Sequence, residues 1–240
     1  MIPQPSRLRK RFHGGIRRPR AKERHVPVAW LDERLRFPPV EHALPEGLLA
    51  VGGDLGLERL LLAYRNGIFP WYAPGEPILW WSPDPRLVLL PGSLHVPRSL
   101  RRVLNRGRFR FTLDQAFVAV IHACAADRRQ SGTWLVPEMI SAYIRLHQAG
   151  YAHSLEVWRE GRLAGGLYGV ALGRCFFGES MFHRESDASK AGLVHLVRHL
   201  EAMGFSLIDC QVTTAHLVRF GARQMPRREF LDRLRRALRP

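Results

Sequence analysis

The 240-residue sequence predicts an α/β protein of the α+β type, a mixed and largely antiparallel sheet flanked by helices, and three stretches carry that prediction. In "HSLEVWREGRLAGGLYGVALGRCFFGESMF", residues 153–182, three apolar runs are separated by Glu160-Gly161 and Leu172-Gly173, the pattern of an antiparallel meander. "KAGLVHLVRHLEAM", residues 190–203, sets Leu193, Leu196, Val197 and Leu200 on one helical stripe that stops at Gly204. "FSLIDCQV", residues 205–212, then returns as a further strand.

The remaining elements follow in chain order. The first 24 residues hold seven Arg and two Lys against one Glu, with scattered Pro and Gly and no apolar face, so residues 1–34 are expected to be a disordered basic arm. Order is expected from "LRFPP", residues 35–39. "LERLLLAYRNG" is a helix with Leu57, Leu60, Leu61 and Tyr64 at helical spacing and Gly67 as its stop. "GIFPWYAPGEPILWWSPDPR" is too rich in Pro and aromatics for long regular structure, which places a small N-terminal α/β domain at 35–85 and the main domain at 86–240. There a strand, "RLVLL", precedes the basic "RSLRRVLNRGRFR" and helices at 114–127, with Asp114 as N-cap, and 137–149, with Pro137 in the first turn. "RREFLDRLRRALR" closes the chain as a basic amphipathic helix.

A formal charge of +16 and a pI near 11.2 imply a polyanionic partner, nucleic acid or an anionic membrane surface. Cys124, Cys175 and Cys210 stand far apart, which is neither a disulfide framework nor a zinc knuckle and suits a reducing compartment, here the cytoplasm. No apolar run is long enough to span a bilayer and no secretory core follows the first residues.

Few residues stand out as chemistry. Glu179 lies among Phe176, Phe177, Met181 and Phe182, and an ionised carboxylate in such company needs a donor or a wet cavity. Strand alternation places Phe177, Glu179 and Met181 on one side and Phe176, Gly178, Ser180 and Phe182 on the other. In "LIDCQV" it sets Asp209 and Gln211 with Leu207, and Cys210 with Ile208 and Val212, so the thiol reads as core, whereas Asp209 and Gln211 read equally as a structural pair or half a reactive site. His195 and His199 have i, i+4 spacing but Leu196 where a metalloprotease helix has Glu, so no metal is expected. Trp71, Trp80, Trp81 and Trp134 read as core filling or as platforms for a base.

"GLLAVGGDL", "YRNGIFPWY", "PILWWSPDPR", "GTW", "HSLEVW", "GGLYGV", "FFGESMF", "ASK" and "LIDCQ", in this order and spacing from residue 35 onward, closely resemble the leucyl/phenylalanyl-tRNA–protein transferases. The resemblance implies a catalytic domain similar to the acetyltransferase fold called GNAT, preceded by a small domain. It implies transfer of Leu or Phe from aminoacyl-tRNA to the α-amino group of proteins beginning with Arg or Lys, which marks them for degradation. It covers nothing of residues 1–34.

The ester on tRNA is already activated, so the implied reaction needs no cofactor, ATP or metal, only alignment, proton removal and donors for the oxyanion. The resemblance implies that Asp209, through or beside Gln211, assists the amine, and that Glu179 positions the amine or the basic acceptor residue. A slot lined by Leu167, Phe177, Met181 and Ile208 is expected to take Leu or Phe and crowd out Val and Ile. Trp71 and Trp134 resemble family tryptophans near the terminal adenosine of the tRNA. Arg98, Arg101, Arg102 and Arg106 are expected on acceptor-stem phosphates, and the basic arm is expected to add sequence-independent phosphate contacts. An acetyl-CoA-dependent acetyltransferase needs a pyrophosphate-cradling turn at a helix N-terminus, for which the chain has only "RLAGGL", inside the meander. A non-enzymatic RNA-binding protein fits the charge but leaves the enclosed carboxylates without a use.

Overall fold

The computed structural model describes residues 28–127 and 135–239. The chain divides between Asp84 and Pro85 into two compact units.

In the first unit, β1 (Ala29–Leu31), β2 (Leu48–Gly52), β3 (Phe69–Pro70) and β4 (Leu79–Trp81) form a sheet in the order β1-β2-β4-β3, with helix α1 (Leu57–Arg65) between β2 and β3. Trp80 and Trp81 are fully buried, and their indole N–H groups donate to Gly52 O and Trp71 O, so these two are core and not platforms. β1 pairs in parallel with β2, Ala29 opposite Ala50. Residues 29–34 therefore do not belong to a disordered arm. The buried Arg59 of α1 donates to the Asp54 carboxylate at 2.9 Å and to the carbonyls of Asp32 and Arg34 at 2.8 and 3.2 Å, fastening the segment. A three-residue strand shows no alternation, and its clamp is supplied by a residue 25 or more positions away, which is why sequence alone placed the start of order later. Residues 1–27, most of the expected arm, lie outside the described residues.

The second unit has the predicted mixed α/β architecture. Its strands are β5 (Arg86–Leu89), β6 (Arg110–Leu113), β7 (Ala152–Arg159), β8 (Arg162–Leu172), β9 (Cys175–His183), β10 (Leu207–Gln211) and β11 (Arg223–Met225), in the sheet order β11-β5-β10-β9-β8-β7-β6. Every neighbouring pair is antiparallel except β9 and β10. The meander β7-β8-β9 is the one the sequence predicts. Helices α2 (Arg98–Asn105) and α5 (Ala188–Ala202) cover one face, whose core includes Leu87, Leu155, Leu167, Phe176, Leu193 and Ile208. Helices α3 (Phe117–Asp127) and α4 (Pro137–Gln148) pack on the meander from the other face, where Phe117 and Tyr143 meet Tyr168 edge to ring; the short α6 (Ala215–Val218) precedes β11, and α7 (Arg227–Ala237) packs on β5 and β10. Each face buries an apolar stripe, which is the main stabilising term of such a layered fold. Glycine decides how closely α5 approaches: a Cβ on Gly165 would lie 2.8 Å from the Cβ of Ala188.

Asp114 is not the N-cap of α3. It stands at φ +56° and accepts from the Ser154 N–H at 2.8 Å and from His153 at 2.7 Å. The free amides before α3 are met by the buried Glu156 of β7, which accepts from Gln115 and Ala116 N–H, from the Thr112 hydroxyl and from the Ser154 hydroxyl. A strand from the far side of the corner has taken over the capping role, a substitution of partner invisible to local pattern.

The Asp114–His153 pair makes stability depend on pH. The hydrogen bond to Asp114 raises the His153 pKa above 6.5; for Asp114 burial acts upward, but the bonds from His153 and Ser154 outweigh it and its pKa falls below 3.8. With a raised folded pKa, the His153 contribution is complete below the unfolded value and lost as pH rises through the folded one. Both groups are about a third exposed, so screening holds it below about 1 kcal/mol, or no more than about 2–4 °C in Tm. Melting wild type and His153→Gln between pH 5.5 and 8.5 checks this: the extra stability at acid pH is present in the first and absent from the second.

Candidate active site

The parallel ladder between β9 and β10 begins at Cys175/Leu207 and ends at Phe177/Asp209. Just beyond that point both strands are irregular. On β9, Gly178 opposes Gly169 while Ser180 opposes Tyr168, so one residue has been added around Glu179. On β10, Asp209 opposes Val88 while Gln211 opposes Leu87, so Cys210 is the added residue. A bulge re-aims side chains and ends pairing, and such irregularities concentrate beside reactive sites. Pairing between β9 and β10 stops at Phe177/Asp209, and Glu179 and Gln211 lie just past it, one on each side of the opening between the strands.

Hydrogen bonds fix these two side chains. Gln211 Nε2 donates to Glu179 Oε1 at 2.9 Å, and the buried Tyr143 hydroxyl of α4 donates to Glu179 Oε2 at 2.8 Å. With its NH2 group turned to Glu179, the Gln211 amide presents its oxygen as the remaining acceptor. Glu179 is held in place by a hydrogen bond on each oxygen.

Asp209 occupies a different position. It is fully buried and bound side-on by Arg86, Nε to Oδ1 at 2.8 Å and Nη2 to Oδ2 at 2.6 Å, while Oδ1 also accepts the Gln211 backbone N–H at 2.9 Å. The Arg86 guanidinium lies over the Phe230 ring of α7 at 4.8 Å. Gln211 has φ +60°, a left-handed conformation that is uncommon for a residue with a side chain and costs free energy unless its surroundings impose it. The Asp209 carboxylate imposes it by bonding the amide two residues on. The charged pair thus sits behind Gln211, in contact with its backbone.

The bulges also overturn two alternations read from the sequence. Met181 opposes Leu167 and so shares the α5 face with Leu167, Phe176 and Ile208, whereas Phe177, opposite Val170 and Asp209, belongs to the other face. Phe177 therefore does not line one slot with Leu167, Met181 and Ile208; Phe176 stands in its place. In the same way Gln211 does not continue the Asp209 side of β10. Cys210 does pack with Ile208 against the α5 core, and burial first, the adjacent Asp209 carboxylate second, push its thiol pKa far up, so it stays protonated and unreactive at neutral pH.

Arg98, Arg101, Arg102 and Arg106 are exposed along α2 and its C-terminal end, at the i, i+3, i+4 spacing of one helix stripe, and none has an acidic partner among the described residues. His195 stacks on Phe111 at 4.4 Å, and no group of metal-ligating side chains gathers among the described residues. Trp71 lies in the first unit with its ring edge against Trp81 at 5.8 Å. Trp134 lies outside the described residues. Tyr143 and Arg86 were missed by sequence reading. Arg86 closes a motif, "PILWWSPDPR", and an Arg opening a strand of Leu and Val was a usable signal. Tyr143 had none, because it is one aromatic among core residues of an ordinary amphipathic helix.

Comparison with known proteins identifies the family. Residues 88–235 match the family model described as leucyl/phenylalanyl-tRNA protein transferase, and residues 53–84 match the model of its N-terminal domain. A leucyl/phenylalanyl-tRNA–protein transferase of Syntrophobacter fumaroxidans is 63% identical over 211 residues, 87% of this chain and 90% of its own length. One of Oleidesulfovibrio alaskensis is 61% identical over 216 residues, 87% of both chains. Solved structures resemble the fold only distantly: a GCN5-related N-acetyltransferase from Kribbella flavida, at 12% identity and a TM-score of 0.37, covers 69% of this chain and 60% of that one. Such likenesses carry no argument here; the sequence matches do, and on them the chain belongs to the leucyl/phenylalanyl-tRNA–protein transferase family.

Proposed function

We propose that this chain moves Leu or Phe from aminoacyl-tRNA onto the α-amino group of proteins that begin with Arg or Lys, and that Glu179 and Gln211 are the side chains at the reacting amine. The observation that carries this reading is the Gln211–Glu179 hydrogen bond across the opening between β9 and β10. It sets one carboxylate and one amide oxygen side by side. An α-ammonium with a pKa near 8 is mostly protonated at neutral pH. The Glu179 charge draws it in, one proton passes to solvent to leave the free amine, and the amide oxygen of Gln211 accepts an N–H of that amine so that its lone pair faces the ester carbonyl. As the C–N bond forms and the C–O bond to the terminal ribose breaks, the nitrogen gives up a proton and the ribose oxygen gains one. Of the two ways expected of it, through or beside Gln211, Asp209 acts through Gln211, because Arg86 and the Gln211 backbone amide already occupy its carboxylate.

The donor side chain is assigned to the α5 face, among Leu167, Phe176, Met181 and Ile208. Branching at Cβ adds bulk nearest the ester, so Val and Ile are poor fits; shape alone discriminates by about 1–3 kcal/mol per methylene. The exposed arginines of α2 suit the acceptor-stem phosphates, with Trp71 and Trp134 as platforms at the tRNA end. Among the described residues no helix is long and apolar enough to cross a membrane, and the cytoplasmic placement follows from the tRNA partner.

The test is transfer of radiolabelled Leu, Phe, Ile or Val from tRNA to an Arg-initiated peptide, with acetyl-CoA as an alternative donor. Leu and Phe are transferred, Ile and Val at least about tenfold more slowly, and acetyl-CoA not at all; equal rates for Leu and Ile reject the slot, and acetylation rejects the function. Glu179→Gln, which removes the charge but keeps the shape, raises KM for the acceptor about tenfold or more. An unchanged acceptor KM in that variant removes Glu179 from the amine site.

A further inference from the structure

The first unit carries a cleft that none of the transfer chemistry uses. It has a volume of about 300 Å³ and is walled by Trp30, Asp32, Arg36, Phe37 and Pro38. Trp30, at the middle of edge strand β1, is 75% exposed, the most exposed large apolar side chain among the described residues. Its indole lies over Gly52, where a Cβ would stand 3.5 Å from Cε3 and 3.9 Å from Cζ3, so the ring is seated on backbone and keeps its surface open. The opposite wall is rigid: Phe37 packs edge-on to the buried Trp80, ring centres 4.9 Å apart. Polar groups stand at the rim. The Asp32 carboxylate is 3.9 Å from Arg34 Nε and 3.6 Å from Arg36 Nη2, and both guanidinium side chains are about two-thirds or more exposed.

We infer that this cleft takes an unpaired nucleobase of the tRNA other than the aminoacylated adenosine, stacked on Trp30. An open indole beside a cleft with both aromatic and charged walls suits a flat, polar-edged ring, and stacking of this kind is tolerant of base identity. The Asp32 carboxylate accepts from an exocyclic amino group such as that of cytosine. Arg34 and Arg36 reach the flanking phosphates, and nine Arg and Lys residues precede β1 within the first 24 positions of the sequence. That charge favours RNA over the other occupant of an exposed edge strand, a second copy of this equally basic chain. The volume lies at the lower end of ligand pockets, enough for one base and not for a helix or strand.

The inference rests on tRNA being the partner, and the experiment separates the two. Full-length wild type, Trp30→Ala and Trp30→Phe are compared for binding of deacylated tRNA(Leu), for KM and kcat with Leu-tRNA, and for KM with a minimal donor, Leu esterified to adenosine alone. Trp30→Ala weakens tRNA binding and raises KM for Leu-tRNA by about 5- to 100-fold, the range of one stacked base. Its kcat and its KM for leucyl-adenosine stay at the wild-type values, and Trp30→Phe recovers most of the loss. Unchanged tRNA affinity in Trp30→Ala overturns the inference, as does an equal rise in KM with both donors, which marks a disturbed active site. A wild-type chain that sediments as a dimer and becomes monomeric on Trp30→Ala also overturns it, in favour of self-association. Failure of wild type to transfer Leu counts against the function alone, because the binding ratio is read without transfer.

Discussion

Gln211→Ala reduces the rate constant for transfer by about 10²–10⁴-fold, the size of effect expected when a group assisting proton loss is removed, while tRNA affinity and unfolding midpoint change little. Two contacts are lost together. The amine loses its acceptor, and Glu179 loses the donor on Oε1 while keeping Tyr143 on Oε2. The backbone at φ +60° is held by Asp209 and not by the side chain, so the strand end stays where it is. Single-turnover transfer from preformed Leu-tRNA, at saturating Arg-initiated peptide, reads the step without product release. Gln211→Glu sets a second carboxylate against Glu179, where like charges cannot both ionise cheaply, and its rate therefore gains a pH dependence beyond that of the amine, which the wild type shares. A single-turnover rate for Gln211→Ala within a factor of three of wild type takes the amide out of the chemistry.

Asp209→Asn destabilises the second unit by about 3–5 kcal/mol, the cost of leaving one member of a buried ion pair without its counter-charge. Arg86 cannot neutralise itself, and it is enclosed between β10 and the Phe230 ring. Transfer falls with stability, and the two are separated by a second variant. Replacing both members, Arg86→Met with Asp209→Leu, recovers most of the stability in urea, because a buried pair is worth little more than an apolar pair of similar volume. It does not recover transfer, because nothing then bonds the Gln211 amide in its left-handed conformation. Full activity in the double variant shows that the pair serves the fold alone; a single Asp209→Asn variant that melts like wild type shows that Arg86 has another counter-charge.

How much of this was legible beforehand differs by element. The meander, the α5 stripe and the terminal amphipathic helix follow from apolar periodicity, since residues facing one core must recur at the repeat of the backbone that carries them. Residues 29–34 and the capping of α3 did not, because each is held by one distant polar side chain, Arg59 in one case and Glu156 in the other. For the site, the motifs pointed to Glu179, Asp209 and Gln211. Counting by twos along "FFGESMF" and "LIDCQV" then gave wrong faces for Met181 and Gln211, because an added residue in a strand reverses every side beyond it.

The amino-acid sequence by itself determined the class of fold, the family and the basic character that suits a polyanion, and it singled out Glu179, Asp209 and Gln211, since composition, periodicity and ordered motifs are properties of the chain. Only the tertiary structure decided what each of those residues does. Asp209 is a buried anchor because Arg86, 123 positions away, meets it side-on. Glu179 is fixed at the end of the β9–β10 ladder because Tyr143 and Gln211 hold it from two sides. A carboxylate's role depends on which donors surround it and how much water reaches it, and both are set by groups that the chain brings together only when the sheet closes.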